Sequence, residues 1–416
     1  MRILHAPANF GDQAGVVVRA LKRAGYDAEL WEYGRSKWGY PADRSIDVAT
    51  EDPQQVWNVF LEALERFDVF HFHYARSFFY QSWTGVPPLW DLPVLRALGK
   101  KVFFTFVGSE CRMRKIAEQH NPWAPEVFKE YTPNDDRIAK TLQTIRTYAD
   151  EMFVVSGEML PYVPDATFMP RAVELGEWER TPALHRDVPV VLHVPSRRTL
   201  KGTDLIMAGL EQLRDEGVRF ELRLLENIPH EEMKKAMRDA DVVVDQLLLG
   251  DHGLTSVEAM LSGCVAVAYL TPEVRQTCPD MPIFDVDPTS FVDRMRVLLT
   301  DRELRVALAG RGYDWVAQHF DASRVARMHI ERYEKPPRAL PSRGFPDWTS
   351  FGDERRLERL EERLADVELD RKQLREKNTV LRDRVLSLGE EVKRLREMPV
   401  AQVVAQRAKR KLNRGR

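Results

Sequence analysis

The sequence predicts an α/β fold: two doubly wound parallel-sheet domains in series, followed by a C-terminal coiled-coil helix. Three observations carry this. Short apolar runs alternate with amphipathic stretches from Arg2 to about Tyr333. The alternation breaks once, at the polar, proline-containing joint Thr181–Pro189, and then restarts. Beyond a segment rich in Pro, Gly and Ser, a heptad runs without a slip from Leu357 to Leu395. A chain of 416 residues, 44% hydrophobic and 30% charged, is long for one core and suits two domains plus an extension.

In the first domain, residues 1–180, Arg2–Ala6 is a short apolar strand. Asp12 is placed to cap a helix that ends at Gly25, and Ala28–Trp31 is a second strand. Asp52 and Pro53 form a cap-plus-first-turn pair opening a helix to Arg66. Strand Val69–His73, helix Leu92–Leu98 closed by Gly99, strand Val102–Val107, helix Arg137–Tyr148 and strand Met152–Val155 follow. The second domain, residues 181–335, repeats the pattern. Its strands are Val188–Val194, Arg219–Leu225, Val242–Leu247 and Val265–Tyr269. Its helices are Thr203–Glu216, His230–Ala240 and Leu254–Leu261, with more helix to about Tyr333. Alternation of this kind makes Rossmann-like sheets, which bind ligands at the carboxyl ends of their strands.

Residues 336–352 read as a linker, 353–398 as the coiled coil and 399–416 as a basic tail. The a positions are Leu357, Leu364, Arg371, Asn378, Val385 and Val392; the d positions are Leu360, Val367, Leu374, Leu381, Leu388 and Leu395. Leu at d, Val at a and a polar Asn at one a position favour a parallel homodimer. Arg371 at a leaves trimers and hetero-pairing open, and a single solvated helix is the plainer alternative. From Asp353 to Arg416 there are 19 Lys/Arg and 13 Asp/Glu, a net of +6; the whole chain carries −2, so the body carries −8. The tail suits an anionic membrane surface or serves only as a solubilising end. Bulk charge gives no reason to expect nucleic acid.

Cys111, Cys264 and Cys278 are scattered, with no zinc-like spacing, and fit reduced thiols. No basic-then-apolar leader follows Met1, and the apolar runs Val102–Val107 and Cys264–Leu270 are strand-sized. A cytoplasmic protein is expected, with the basic tail as a candidate contact to the inner face of the membrane.

Two stretches point to phosphate chemistry. His193-Val-Pro-Ser-Arg197-Arg198-Thr-Leu-Lys201-Gly202-Thr203-Asp204 follows a strand and opens a helix. Such a turn aims backbone N–H groups at an anion, with Arg197, Arg198 and Lys201 beside it. A basic surface turn is the alternative. Gly253-Leu254-Thr255-Ser-Val-Glu258-Ala-Met-Leu-Ser-Gly263 also joins strand to helix. Gly253 permits close backbone approach, and Glu258 lies one turn in, where it could accept from two ribose hydroxyls or simply favour the helix dipole.

Lys-Gly-Thr-Asp followed about fifty residues later by Gly-Leu-x-x-x-Glu-Ala-Met-x-x-Gly resembles the donor domain of retaining family 4 glycosyltransferases, which have the GT-B fold. The likeness covers residues 188–270 well and the N-terminal domain loosely. It implies that Lys201, with Arg197 or Arg198, holds the donor diphosphate as the catalytic cations. It also implies that Glu258 binds the ribose, and that Gly253 and the N–H groups of Leu254 and Thr255 help hold the phosphate. Gly11 resembles the family's glycine loop. No metal and no cofactor beyond a nucleotide sugar as co-substrate are implied. The final crossing back to the N-terminal domain would fall near Ser323–Tyr333. Two positions depart from the pattern. Gly250 stands where the family has a sugar-contacting Glu, with Asp251 adjacent, and Val107 stands where it often has a His.

On the acceptor side the candidates are His71 and His73, which share a strand face, and Glu110 and Arg112 on the next loop. The histidines could instead pack against Trp83 or Trp90, and Arg112 could pair with an acceptor anion or with Glu110. The aromatic loop Tyr74–Trp90 could stack on a sugar or lipid-linked acceptor, or form a hydrophobic lid. The expected function is transfer of a sugar from a nucleotide-sugar donor to an acceptor, and the resemblance implies retention of configuration. The alternatives are a catalytically reduced protein of this fold acting as a coiled-coil assembly factor, and a sugar-nucleotide epimerase.

Overall fold

The computed structural model describes residues 1–34, 39–47, 53–80, 86–129, 131–178, 186–226 and 228–340. The expected coiled coil at 353–398, the basic tail, Trp83 and the start of the joint at 181–185 lie outside the described residues.

The N-terminal half contains β1 (Arg2–Ala6), α1 (Gln13–Arg23), β2 (Asp27–Tyr33), β3 (Arg44–Ile46), α2 (Pro53–Arg66), β4 (Val69–His73) and α3 (Asp91–Ala97). It continues with β5 (Lys101–Phe106), α4 (Arg114–His120), α5 (Ala124–Val127), α6 (Asp135–Tyr148), β6 (Glu151–Val154) and β7 (Thr167–Phe168). The strands form one parallel sheet, order β3-β2-β1-β4-β5-β6-β7. Strands such as Val-Phe-His-Phe-His of β4 are buried along their whole length, because helices cover both faces of a parallel sheet and leave no solvent side to alternate toward.

The second half contains β8 (Val190–His193), α7 (Arg198–Lys201), α8 (Thr203–Asp215), β9 (Glu221–Leu224), α9 (His230–Arg238), β10 (Val242–Gln246), α10 (Leu254–Leu261), β11 (Val265–Ala268), α11 (Pro272–Thr277) and β12 (Phe284–Asp285). Its parallel sheet has the order β12-β11-β10-β8-β9. Val191, Val242, Val244 and Val265 face one apolar layer; Leu192, Val243 and Ala266 face the other.

The helices α12 (Phe291–Thr300), α13 (Arg302–Phe320) and α14 (Ala322–Tyr333) end the described chain. The outgoing and returning segments touch at Val173 and Asp321. Asp321 then caps α14, accepting from Ser323 N at 3.0 Å and Arg324 N at 3.2 Å. Val325, Ala326, Ile330 and Tyr333 of α14 pack with Val16, Val17 and Leu21 of α1 in the first sheet's core. A domain division at residue 335 puts this helix with the second half, but its apolar face belongs to the first. Asp12 corrects another expectation. It occupies the cap position of α1 in a left-handed conformation (φ 57°) and makes no cap bond. Its carboxylate instead accepts from Asn9 at 2.9 Å and Arg19 at 2.7 Å.

Among the described residues no helix is long and apolar enough to cross a membrane. All three cysteines are buried and unbridged.

Candidate functional site

The loops at the carboxyl ends of the two sheets face each other. Ser156, after β6, donates its hydroxyl to Asp251, after β10. Asn121 donates to the Leu248 carbonyl at 2.7 Å, and Arg171 to the His252 carbonyl at 2.9 Å. Leu248 and Leu249 of the second domain are buried within the first domain's apolar cluster. Gly11, after β1, adopts φ +58°, and a Cβ on it would lie 3.4 Å from Leu254 at the start of α10. The crevice between the sheets is where the predicted donor residues meet.

Lys201 ends α7 and is buried, its ammonium ion-paired with the fully buried carboxylate of Asp245. The other oxygen of Asp245 accepts from Gly253 N at 3.0 Å, Ser256 N at 3.2 Å and Ser256 Oγ at 2.7 Å. Asp245 thus binds Lys201 to the N-terminus of α10. Burial pushes the Asp245 carboxyl up, but Lys201 and the Ser256 hydroxyl outweigh it and hold the group below its usual range. Gly253 is needed for space. A Cβ there would sit 2.6 Å from Asp245 Oδ2 and 3.1 Å from Lys201 Nζ. The N–H groups of Leu254 and Thr255 donate to nothing among the described residues. They are the unspent donors of the helix start.

Glu258 is buried on α10 and accepts from His230 Nε2 at 2.7 Å. This bond raises the His230 imidazole's affinity for a proton, against partial burial. Of the two arginines beside Lys201, Arg198 turns to Glu226 and Asp204, each at 3.1 Å. The Arg197 guanidinium makes no hydrogen bond or ion pair among the described residues, so it is the free cation of the turn.

Gly250 has φ +74°, and a Cβ on it would meet Thr271 Cγ2 at 2.4 Å. A glutamate therefore does not fit there in this backbone. Asp251 does not replace it, being buried against Arg171 at 2.9 Å and the Ser156 hydroxyl.

No family model matches the chain. It is 28% identical to the D-inositol 3-phosphate glycosyltransferase of Corynebacterium urealyticum over 143 residues, 32% of each chain. The match thus spans about a third of that relative's length. Among solved structures, sucrose-phosphate synthase from Thermosynechococcus elongatus superposes with a TM-score of 0.56 at 17% identity, covering 80% of this chain and 97% of the other. The fold is GT-B. A glycosyltransferase from Rickettsia africae (TM-score 0.54, 12% identity, 80% and 97% covered) and HepE of Anabaena with UDP-glucose (0.53, 12%, 80% and 98%) share it.

In the first domain two expectations about acceptor candidates are corrected. His71 and His73 do not line it. They stack on each other at 4.8 Å and on His5, beneath α14, with His329 edge-on to His71 at 5.1 Å. His71 is bonded to Tyr333 Oη at 2.5 Å and Thr105 Oγ1 at 2.7 Å. The face these histidines share is the one α14 covers. Trp90 lies elsewhere, against Trp57 and Phe79. Arg112 pairs with Glu158, not Glu110, through two bonds of 2.9 and 3.0 Å. Glu110 accepts from Val107 N at 2.5 Å; its other oxygen is buried without a partner among the described residues, and burial raises its carboxyl's affinity for a proton. Among the described residues no group of three acidic, His or Cys side chains is arranged to hold a metal.

Sequence reasoning missed Asp245, His230, Glu158 and Arg171. Asp245 had one signal, a carboxylate ending an apolar strand just before the α10 glycine.

Proposed function

We propose that the chain is a glycosyltransferase that takes a nucleotide sugar in the GT-B crevice and passes the sugar to an acceptor hydroxyl with retention of configuration. The observation that carries this is the Lys201–Asp245–α10 arrangement facing Gly11. It offers one ammonium, two unspent N–H groups and the free guanidinium of Arg197 to a diphosphate. Glu258, one turn further along α10, suits the ribose hydroxyls. The bond from the anomeric carbon to the diphosphate oxygen breaks and a bond to the acceptor oxygen forms. The negative charge grows on the leaving diphosphate, where these donors stabilise it. The acceptor's proton leaves with that diphosphate.

HepE is seen in complex with UDP-glucose, so UDP sugars come first in a thermal-shift screen of the full chain. A binding nucleotide sugar raises the midpoint, because it binds the folded state only. Lys201→Ala and Glu258→Ala should each abolish the shift. Nucleotide affinity unchanged in both variants would remove the transferase reading. Product anomer by NMR tests retention. We further propose that the heptad from Leu357 to Leu395 pairs two copies in parallel. Sedimentation of the full chain should then give a dimer, and Leu374→Asp with Leu381→Asp a monomer.

A further inference from the structure

A second constellation lies beside the donor residues. Phe10 precedes Gly11 and is 40% exposed. Its ring lies against Tyr74, centroids 4.4 Å apart and planes tilted by 36°. The Arg76 guanidinium lies over three rings, at 5.6 Å from Phe10, 5.0 Å from Tyr74 and 4.9 Å from Tyr80. Phe10 follows β1, Tyr74 to Tyr80 follow β4 and Ser109 follows β5, so the cluster sits at the carboxyl ends of three adjacent central strands. In an open parallel sheet that edge is the ligand edge.

The cluster is held in shape. Tyr74 and Ala75 both adopt left-handed backbone conformations (φ 60° and 48°) without being glycine. They are pinned by Tyr74 N to the Thr105 carbonyl at 3.1 Å, Arg76 N to the His73 carbonyl at 3.2 Å, and Tyr74 Oη to Ser109 Oγ at 2.5 Å. Strain of this sort persists only where the surroundings impose it.

Charge gives the specificity. Arg112, Arg171 and Arg198 on the crevice walls each have a carboxylate partner. Arg76 has none: among the described residues its guanidinium makes no hydrogen bond and no ion pair. The rings fix its plane and leave its N–H groups unspent, which is the form in which a guanidinium takes a phosphate or carboxylate by two parallel bonds. Tyr131, 48% exposed, extends the site toward the donor domain. Its hydroxyl, raised in affinity for its proton chiefly by burial, also feels Tyr74 and Arg197.

We propose that Phe10, Tyr74, Tyr80 and Arg76 form an acceptor subsite selecting a sugar or polyol that carries a phosphate or carboxylate group. The aromatic faces take the C–H face of the ring, and Arg76 takes the anion. This rests on the transferase reading above.

The test is calorimetric titration of the full chain with glucose, glucose 6-phosphate and glucuronate as probes. At least one anionic sugar should bind ten-fold or more tighter than glucose, and the stronger of the two identifies the anion. Arg76→Ala and Arg76→Gln should bring that ratio to about one, and Arg76→Lys should restore part of it. Phe10→Ala should weaken all three sugars alike. Each variant is checked for an unchanged UDP thermal shift, so loss of the subsite is distinguished from loss of donor binding. Equal affinities for all three probes, or a preference that survives both Arg76→Ala and Arg76→Gln, would overturn the proposal. Absent nucleotide binding would instead count against the transferase reading.

Discussion

The ammonium of Lys201 is paired with the carboxylate of Asp245, and that same carboxylate accepts from Gly253 N, just before α10, and Ser256 N in its first turn. An internal anion therefore fills part of the place where a phosphate would bind, and it orients the cation at the same time. Removing one partner of a buried pair leaves a charge without compensation, at a cost of about 3–5 kcal/mol. Asp245→Asn keeps the shape but releases Lys201. The expected outcome is a lower denaturant midpoint and weaker UDP binding. The double variant Lys201→Met with Asp245→Asn should recover stability but not UDP binding. Urea titration and calorimetry on the three proteins separate the two effects.

Gly250→Glu tests the departure at the sugar-contact position. The substitution forces a left-handed backbone on a non-glycine residue, at about 1–3 kcal/mol. It also drives a Cβ to 2.4 Å from Thr271 Cγ2, adding about 1–3 kcal/mol of overpacking. Urea midpoints should fall accordingly. Thr271→Gly in the same chain should recover the steric part alone. A glutamate accepted at position 250 with no loss would mean that the loop shifts freely.

Much of this architecture was legible in the sequence because buried parallel strands are short apolar runs bounded by polar turns. The bounds of β1, β4 and α10 coincide with the expected ones. The strand β3 was not legible, since three residues at a sheet edge with one buried side chain carry no period. Lys201, Gly253 and Glu258 stood in a motif; Asp245, which joins the first two, stood in none. The β4 alternation placed His71 and His73 on one face, but the layer covering that face comes from Tyr333, 262 residues after His71. Arg112 was visible as a cation, while its partner Glu158 lies 46 residues on in another loop.

Arg112 and Glu158 are both buried, and Arg171 with Asp251 forms a second pair alongside. Burial raises the Glu158 carboxyl's affinity for a proton, and Arg112 opposes this. Glu158→Ala should cost about 3–5 kcal/mol. Glu158→Gln should cost less, because an amide still accepts from Arg112. Chemical denaturation measures both; equal losses would mean that the charge, not the hydrogen bonding, matters.

The histidine cluster beneath α14 makes the fold acid-sensitive. Burial, followed by the neighbouring histidines, holds His5 and His71 well below the ordinary value of 6.5; burial lowers His73 and His329 to about 3. In the unfolded chain each returns to about 6.5. Between these values the unfolded state binds more protons, so stability is full above about pH 7 and falls as pH drops toward 3. The slope is about 1.4 kcal/mol per pH unit for each histidine. Glu32 and Asp91, raised mainly by burial to about 7 and about 6, act oppositely, losing stability as pH rises through those values. Comparison with His329→Phe cancels their contribution. His329 Nδ1 has no partner among the described residues, and a phenyl ring keeps the edge contact with His71. The variant should match wild type at pH 7.5 and exceed it by about 2 kcal/mol at pH 5. Urea unfolding across that range measures the difference, and parallel curves for the two proteins would show that His329 is not held neutral by the fold.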